Sequence, residues 1–261
     1  MERGTILLAH GILGFGSFMG IPSLLNYFNG VATHLRRQGH TVLTPQVNPI
    51  GSVEQRGNKL ADFILKVLPE EERVLHIIAH SMGGLDARHA ITNVPGVAER
   101  VASLVTIGTP HRGSPVADTI AAGTGPLLDK IPLFILERLR RNAGAQRDLT
   151  TEVGKKFDEQ TPDKEGVRYF NIAGDASRAA HELLFFRLAE EIGRITGEIN
   201  DGVVTRSSAH RATHRHLEDW PFDHAGEVGW SLGSPVPILF QIPFFRVPEH
   251  LRRYEALVRE L

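Results

Sequence analysis

Short apolar runs recur along the chain, and most of them stop at a glycine, a proline or a polar turn. Their length suits strands that are buried on both faces of a sheet. The pattern predicts five strands, over residues 5–9, 41–44, 74–79, 101–107 and 167–173. Gly11 follows the first run and Pro45 follows the second, and both residue types commonly end a strand.

Helical patterns lie between these runs. One face of a predicted helix carries Leu60, Phe63, Ile64, Val67 and Leu68, which are spaced as an amphipathic helix requires. Two more helices are predicted over residues 23–38 and from residue 81 to about residue 93. Alternating strands and helices predict an α/β domain with a mainly parallel sheet and helices on both faces. In such a sheet, ligands bind outside the carboxyl ends of the strands.

One long segment interrupts this alternation. No strand pattern occurs between residues 113 and 166, where apolar residues concentrate in 126–136 and a charged segment follows. We interpret residues 114–165 as a helical insertion within a single domain that spans residues 1–261. The insertion is either a helical subdomain packed on the core or a mobile lid with an apolar underside. Its position at the end of the sheet where sites form favours the lid.

The composition narrows the class of protein. Of the 261 residues, 29 are Lys or Arg and 30 are Asp or Glu, so the net charge is −1. This balance argues against a dedicated nucleic-acid binder, which is usually basic. The chain has no cysteine, which excludes disulfides, a thiolate nucleophile and cysteine-ligated zinc.

Neither a membrane span nor a secretory signal is evident. No apolar run reaches the ~18 residues of a transmembrane helix. The strand pattern begins directly after residues 1–4 (MERG), without the longer apolar stretch and the small-residue cleavage site of a signal peptide. We therefore expect a cytoplasmic protein. The alternatives are a signal peptide that has already been removed and export by another route.

The pattern G-x-S-x-G marks a serine on a tight turn between a strand and a helix. With glycine or alanine at the first position, it occurs at residues 79–83 (AHSMG) and at residues 229–233 (GWSLG). Ser81 follows a strand pattern and precedes a segment that can form a helix. Ser231 follows no strand pattern, and the two prolines after it are incompatible with a helix. We therefore predict Ser81 as a nucleophile, the simpler alternative being a helix N-cap.

A glycine-rich turn, residues 10–15 (HGILGF), follows the first predicted strand. It lies at the same end of the sheet as Ser81. A backbone N–H of this turn can stabilise a developing oxyanion, and the amide of Met82 supplies a second donor. The alternative is a plain turn at the end of a strand.

Four motifs occur in order along the chain: residues 8–15 (LAHGILGF), 79–84 (AHSMGG), 106–114 (TIGTPHRGS) and 200–204 (NDGVV). Together they resemble the bacterial true lipases, the α/β-hydrolases of the Pseudomonas–Burkholderia–Proteus triacylglycerol lipase group. The resemblance spans most of residues 5–230 and is densest up to Ser114. It implies an α/β-hydrolase fold whose catalytic residues follow the chain order serine, acid, histidine.

The base is sought among the histidines after residue 175, which are His181, His210, His214, His216, His224 and His250. His224 lies in a loop with turn residues on both sides, a setting that can deliver a side chain to the edge of the sheet, and it is the predicted base. His210 and His214, with a third histidine nearby, could bind zinc on a helix, but no carboxylate partner is indicated. We expect these histidines on a solvated polar face and His250 on the surface.

The acid is sought among Asp175, Asp201, Asp219 and Asp223. Asp175 directly follows the fifth predicted strand, where hydrolases can carry the acid. Asp201 matches the acid motif of the resembled family and precedes His224 by 23 positions. These two points favour Asp201, although Asn-Asp-Gly is also a common turn sequence.

The resemblance also bears on two supporting features. In the family, a similarly placed arginine braces the oxyanion loop, so Arg56 either supports His10 and Gly11 or is an exposed helix charge. Family members commonly hold calcium through an aspartate two residues after the histidine, where this chain has Gly226. Glycine supplies no carboxylate, so we expect no metal site. No cofactor is expected either.

The combined prediction is a serine carboxylic-ester hydrolase, a lipase or esterase with Ser81, His224 and Asp201 as the triad. The N–H groups of Ile12 and Met82 form the predicted oxyanion hole. Its partner is an ester or lipid substrate with an apolar acyl chain, and the lid is expected to contact lipid surfaces transiently. Expected to line the acyl groove are Phe15, Phe18, Ile131 and Phe134. The alternatives are an acyltransferase or thioesterase with the same triad and a hydrolase-fold binding protein.

Overall fold

Six parallel strands form the central sheet in the part of the chain that the structure describes. This computed structural model describes residues 4–12, 27–48, 51–68, 74–179, 185–230 and 247–261, without the side chains of Phe134 and Arg138. The strands are β1 (Thr5–Ala9), β2 (Val42–Leu43), β3 (Leu75–His80), β4 (Val101–Ile107), β5 (Arg168–Ile172) and β6 (Arg215–His216). Their order is β2-β1-β3-β4-β5-β6. Each neighbouring pair is parallel, which confirms the predicted sheet.

Strand β6 has no counterpart in the sequence prediction. It consists of two exposed polar residues, so it contributes no apolar run. It forms because β5 leaves an unpaired edge, on which Phe170 and Asn171 pair with β6.

Helices cover both faces of the sheet. They are α1 (Val31–Arg37), α2 (Val53–Val67), α3 (Met82–Asn93), α4 (Pro115–Ala122), α5 (Leu133–Arg140), α6 (Ala143–Asp148), α7 (Thr151–Gln160), α8 (Phe186–Thr196), α9 (Arg206–Ala209) and α10 (Glu249–Arg259). Helix α1 begins later than predicted, because Gly30 before it has a left-handed conformation with φ 77°. Helix α2 begins at a capping box in which Ser52 and Gln55 satisfy each other's amides.

Alternate residues of each strand face opposite layers of the core. On one face, Ile6 and Leu8 of β1 pack with residues of α1 and α10. On the other face, Leu7 and Ala9 pack with residues of α2 and α3. Burial on both faces explains why the strands read as continuous apolar runs. It also fixes the carboxyl ends of β1 and β3 side by side.

The segment predicted as an insertion is helical and comprises α4, α5, α6 and α7. Its buried apolar side chains include Leu127, Ile131, Ile135 and Leu139, which join one cluster with Met82 and Ala225. The insertion therefore packs at the end of the sheet where β3 meets α3. Among the described residues, no helix combines the length and the apolar character that crossing a membrane requires.

Candidate active site

Ser81 lies on a sharp turn between β3 and α3. Its φ of 57° and ψ of −134° make it the single non-glycine residue with positive φ in the described part of the chain. Such a conformation costs on the order of 1–3 kcal/mol and persists where its surroundings enforce it. The Ser81 N–H donates to the Ile107 carbonyl at 2.9 Å, and the Thr109 hydroxyl donates to the Ser81 carbonyl at 2.9 Å. The turn thus holds the Ser81 side chain beyond the end of β3.

Two glycines allow the backbone to approach this turn. A Cβ atom on Gly83 would lie 2.5 Å from a carbonyl oxygen of β1. A Cβ atom on Gly11 would lie 2.8 Å from Ser81 Cβ and 2.5 Å from Tyr27 Oη. All three distances are shorter than van der Waals contact, so a side chain at either position would displace the loop from the serine.

A continuous series of hydrogen bonds joins Ser81, His224 and Asp201. Ser81 Oγ lies 2.9 Å from His224 Nε2, and His224 Nδ1 lies 2.7 Å from Asp201 Oδ2. Because a carboxylate only accepts hydrogen bonds, Nδ1 carries the imidazole proton and Nε2 accepts from the serine hydroxyl. All three side chains are buried. The structure therefore brings together the residues predicted as nucleophile, base and acid in the order that proton transfer requires.

The loop after α8 holds Asp201 in place. Asp201 Oδ1 accepts from the amides of Val203 at 2.8 Å and Val204 at 2.6 Å. The His224 N–H donates to the Asp201 carbonyl at 2.9 Å. One carboxylate oxygen is thus fixed by the backbone, and the other is directed at the imidazole.

The three competing aspartates have other partners. Asp175 caps the short helical turn of residues 176–178. Asp219 pairs with Arg206 at 2.8 Å, and Asp223 accepts two backbone N–H groups. Of these four aspartates, all in the described part of the chain, Asp201 is the one whose carboxylate hydrogen-bonds to the His224 ring.

Arg56 hydrogen-bonds to the backbone of the predicted oxyanion loop. Arg56 Nη2 donates to the His10 carbonyl at 2.8 Å, and Nη1 donates to the Asn48 carbonyl at 3.0 Å. Nη2 also donates to Asp86 Oδ2 at 2.6 Å. The Arg56 side chain is 0% exposed, so the alternative of an exposed helix charge is wrong. Burial raises the pKa of Asp86 to about 6, although Arg56 opposes this shift.

The two predicted oxyanion donors follow the strand ends. Ile12 comes directly after Gly11, whose Cα adjoins Ser81. Met82 is the first residue of α3, and the first amides of a helix have no carbonyl partner within the helix. These positions are where the strand–turn–helix motif places its two donors.

Three residues beside Ser81, His224 and Asp201 were not predicted from the sequence, and two of them, His80 and Glu227, are buried. Tyr27 Oη lies 2.6 Å from His80 Nδ1, and His80 Nε2 lies 2.9 Å from Glu227 Oε2. The same Glu227 oxygen lies 3.5 Å from His224 Nδ1. Two of them could have been noticed from their positions in the sequence. His80 directly precedes Ser81, and Glu227 is an acid in the otherwise apolar segment 225–230 (AGEVGW).

Burial keeps this cluster neutral over a wide pH range. Burial, and then the neighbouring His224, lower the pKa of His80 well below its ordinary value. Burial raises the pKa of Glu227 well above its ordinary value, and the carboxyl groups of Asp201 and Asp223 raise it further. The Oε1 atom of Glu227 has no hydrogen-bond partner among the described residues.

Most of the predicted acyl-groove residues lie outside the described part of the structure. Phe15 and Phe18 lie between residues 12 and 27, and the side chain of Phe134 is also outside it. Ile131 is 6% exposed and belongs to the apolar cluster that contains Met82. The second serine motif, with Ser231, lies outside the described residues as well.

Two of the four histidines expected on a polar surface, His214 and His250, are buried, whereas His216 is exposed. His214 is 3% exposed, and its Nε2 lies 3.1 Å from Asp163 Oδ1. His250 is 7% exposed and its Nε2 lies 2.9 Å from the Asn29 carbonyl, so both predictions are wrong. In each case a polar partner stabilises the buried imidazole, and a single sequence does not reveal such a partner.

Gly226, at the position where the resembled family has its calcium-binding aspartate, cannot bind a cation through a side chain. Gly226 offers no side-chain oxygen, and its N–H donates to Asp223 Oδ1 at 2.7 Å. Asp223 Oδ2 accepts from the Phe185 amide, and Glu227 is engaged by His80. Both carboxylate oxygens of Asp223 are thus committed to protein donors, and no catalytic step is assigned to a metal.

Comparisons with known proteins were made with both sequence and structure. The family described as "PGAP1-like alpha/beta domain" matches residues 55–123, a segment that includes Ser81. The chain is 32% identical to Triacylglycerol lipase 2 of Saccharomyces cerevisiae over 79% of its own length and 63% of the relative's. It is 28% identical to a triacylglycerol lipase of Vibrio cholerae over 88% of its own length and 81% of the relative's. The chain thus spans less than two thirds of the yeast protein.

Solved structures share the fold. The lipase BlEst2 of Bacillus licheniformis in its mature form has a TM-score of 0.70 and 22% identity, covering 87% of this chain and 86% of that chain. The metagenomic carboxyl esterase MGS0156 has a TM-score of 0.74 and 21% identity, covering 100% of this chain and 77% of that chain. The predicted α/β-hydrolase fold is confirmed. The broader part of the resemblance, to lipases within that superfamily, is supported.

Proposed function

We propose that this chain is a serine carboxylic-ester hydrolase that forms an acyl-enzyme on Ser81. The observation that carries the proposal is the unbroken hydrogen-bonded series from Ser81 through His224 to Asp201. The similarity to triacylglycerol lipases supports the same reaction class. The narrower assignment to the Pseudomonas–Burkholderia–Proteus group draws support from 32% identity to a Burkholderia plantarii triacylglycerol lipase over 122 residues.

Ser81 Oγ attacks the ester carbonyl while His224 Nε2 takes the hydroxyl proton. Asp201 holds the imidazole in the required tautomer and stabilises the imidazolium that forms. The imidazolium then gives the proton to the departing alcohol, which leaves the acyl group on Ser81. Water attacks the acyl-enzyme while His224 takes one of its protons. The imidazolium then returns that proton to Ser81 Oγ as the bond between the acyl group and Oγ breaks, and the carboxylic acid is released.

The oxyanion of each tetrahedral intermediate is stabilised by the amides of Ile12 and Met82. These donors are worth most where they are fixed before the reaction begins, because they then need no reorganisation. Arg56 contributes to that fixation, since its guanidinium holds the carbonyl of His10, two residues before Ile12. The oxyanion loop and the nucleophile turn are thus built from adjoining strands.

The substrate class is an ester with an apolar acyl chain. Support comes from the apolar cluster that joins Ile131, Ile135 and Leu139 of the insertion to Met82 and Ala225, the immediate neighbours of Ser81 and His224. We assign to this cluster the surface that the acyl chain meets. Phe15, Phe18 and Phe134 remain further candidates for that surface.

The insertion, residues 114–165, acts as a lid in this proposal. Its apolar side packs over the neighbours of the triad, while Leu133 at the start of α5 is 68% exposed. Opening would expose the apolar side, and contact with a lipid surface or a long acyl chain would lower the cost of that exposure.

Hydrolysis of p-nitrophenyl butyrate, combined with labelling by a fluorophosphonate, tests the reaction class. The expected result is ester hydrolysis and one label per chain on Ser81, both lost in Ser81→Ala. Hydrolysis that survives Ser81→Ala would overturn the proposal. Adding a primary alcohol or a thiol acceptor reports whether acyl transfer competes with hydrolysis.

A further inference from the structure

Two hydrogen-bonded series of three side chains, of the same chemical type, lie side by side in the site. Asp201, His224 and Ser81 form one, and Glu227, His80 and Tyr27 form the other. Each places a carboxyl group, an imidazole and a hydroxyl in hydrogen-bonding sequence. The rings of His80 and His224 lie 4.6 Å apart between centroids. The second series ends at the oxyanion loop and not at a nucleophile.

The direction of the second series follows from its donors. The Tyr27 hydroxyl oxygen packs against Gly11, where a Cβ atom would lie 2.5 Å from it, and the Gly11 amide lowers the pKa of the phenol. The Gly11 N–H therefore faces that oxygen as a donor. The Tyr27 O–H is then free to donate to His80 Nδ1 at 2.6 Å. A neutral imidazole that accepts at Nδ1 carries its proton on Nε2, which donates to Glu227 Oε2 at 2.9 Å.

Tyr27 is not suited to a nucleophilic role. Burial raises the pKa of its phenol far above the ordinary value, so the hydroxyl keeps its proton. The hydroxyl therefore contributes through its contacts, donating to His80 Nδ1 and facing Gly11 with its oxygen. Gly11 directly precedes Ile12.

We propose that Tyr27, oriented by His80 and Glu227, is a positioning residue that fixes the Gly11–Ile12 backbone so that the Ile12 amide faces the oxyanion. This inference rests on the proposed ester hydrolysis. Two side chains then position the oxyanion loop. Arg56 hydrogen-bonds to the His10 carbonyl, and Tyr27 contacts Gly11. Glu227 accepts from the far side of His80, as Asp201 accepts from His224.

Tyr27→Phe tests the proposal because it removes the hydroxyl and keeps the ring. We expect kcat for p-nitrophenyl butyrate to fall about tenfold with little change in KM, a smaller loss than the removal of an oxyanion donor causes. The inhibition constant of n-butylboronic acid, which becomes a tetrahedral anion on the serine, should rise by a similar factor. Assays run well below the melting temperature of each variant.

Tyr254→Phe is the matched control. Tyr254 is fully buried, and its hydroxyl has no hydrogen-bond partner among the described residues. It packs near the same core, 6.1 Å from Phe28 between ring centroids. Its loss should leave kcat and boronate inhibition unchanged. If Tyr27→Phe behaves as this control does, the positioning role is refuted.

Glu227 variants test the rest of the series. Glu227→Gln keeps a carbonyl acceptor for His80, so it should retain most of the kcat that Glu227→Leu loses. The double variant of Tyr27→Phe with Glu227→Leu should be no slower than the slower single variant, because both changes break one series. Equal losses in Gln and Leu, or additive losses in the double variant, would show that Glu227 acts on His224 directly and would refute the series.

Ser81→Ala is assayed in parallel to separate the two proposals. Activity that persists in Ser81→Ala refutes the ester-hydrolase proposal itself. An inactive Ser81→Ala together with unaltered kcat and boronate inhibition in Tyr27→Phe refutes the positioning role alone.

Discussion

The guanidinium of Arg56 donates to the carbonyl of His10 at 2.8 Å and to the carboxylate of Asp86 at 2.6 Å. The first contact reaches the oxyanion loop, and the second reaches the helix that begins after Ser81. One buried side chain thus contacts both segments that carry the predicted oxyanion donors, the loop after β1 and helix α3. Arg56 and Asp86 are 0% and 1% exposed, so water replaces neither contact.

Removing Arg56 alone should cost stability, whereas removing the pair should cost activity. Arg56→Met leaves Asp86 buried without its partner, which should destabilise the fold by about 3–5 kcal/mol. Arg56→Met combined with Asp86→Leu should regain most of that stability, because apolar replacement of a buried pair is often tolerated. The double variant should still have a kcat at least several-fold below the wild type, because the His10 carbonyl has lost its donor.

Urea unfolding and kcat, measured on the same samples, check this separation. A double variant that recovers both stability and kcat would show that Arg56 serves only the fold. Asp86→Leu alone should also be strongly destabilised, since it leaves the arginine charge buried without a carboxylate partner.

The choice between the two serine motifs is also testable. Ser81→Ala should lower kcat for a soluble ester by roughly a millionfold, and His224→Ala should cost a similar factor, because triad members act as a unit. Ser231→Ala should leave kcat nearly unchanged, since no strand precedes that serine in the sequence pattern. Steady-state rates with purified variants check this expectation. An inactive Ser231→Ala with an active Ser81→Ala would reverse the choice.

The strands, and the meeting of Ser81, His224 and Asp201, could be predicted because local sequence patterns and chain order indicate them. Apolar runs mark β1, β3, β4 and β5, since both faces of the sheet are covered, and chain order selects Asp201 and His224. Strand β6 carries no such pattern, because two exposed polar residues pair with an available edge. Its existence depends on β5, which a local pattern does not contain.

Contacts between distant segments explain the remaining differences. His250 is expected on the surface because its helix is charged, yet it hydrogen-bonds to the Asn29 carbonyl 221 positions away. Glu227 and Tyr27 are likewise joined through His80, across separations of 147 and 53 positions. Such partners become visible only when the fold brings them together.

Calcium should have no effect on this protein. Gly226 occupies the position of the carboxylate ligand expected from the resembled family, and the neighbouring Asp223 accepts two backbone N–H groups. We expect EDTA to leave both kcat and Tm unchanged, because a cation that binds only the folded state would raise Tm. The measurement is thermal unfolding and ester hydrolysis with EDTA and with added calcium. A Tm that falls with EDTA and returns with calcium would contradict this expectation.

Acid should destabilise the fold partly through His10. Burial, and then Arg56, lower the pKa of His10 to about 4, whereas an unfolded histidine titrates near 6.5. Between these pH values the unfolded state binds more protons, so this stabilisation is complete above about pH 6.5 and is lost towards pH 4. The total is roughly 3 kcal/mol. The raised pKa of Asp86 acts in the opposite direction, because the folded state binds that proton first.

His10→Gln isolates the histidine contribution, since the Asp86 effect stays in both proteins. Free energies of unfolding are measured in urea at pH 7.5 and pH 5. The decrease should be about 2 kcal/mol larger in the wild type than in the variant. Equal decreases in the two proteins would show that His10 has no depressed pKa in the folded state.

The insertion should matter more for long acyl chains than for short ones. Its apolar side shares a cluster with Met82 and Ala225, so a long chain that enters the site must meet or displace it. We expect Phe134→Ser to lower kcat/KM for p-nitrophenyl palmitate roughly tenfold more than for p-nitrophenyl acetate, which is the effect expected from losing the burial of one aromatic side chain.

Val67→Ser is the control, because Val67 is an exposed apolar residue on α2, outside the insertion. Both variants are assayed at a temperature where they remain folded. A structural subdomain predicts equal relative losses on the two esters, through lower stability alone, and that result would exclude the lid.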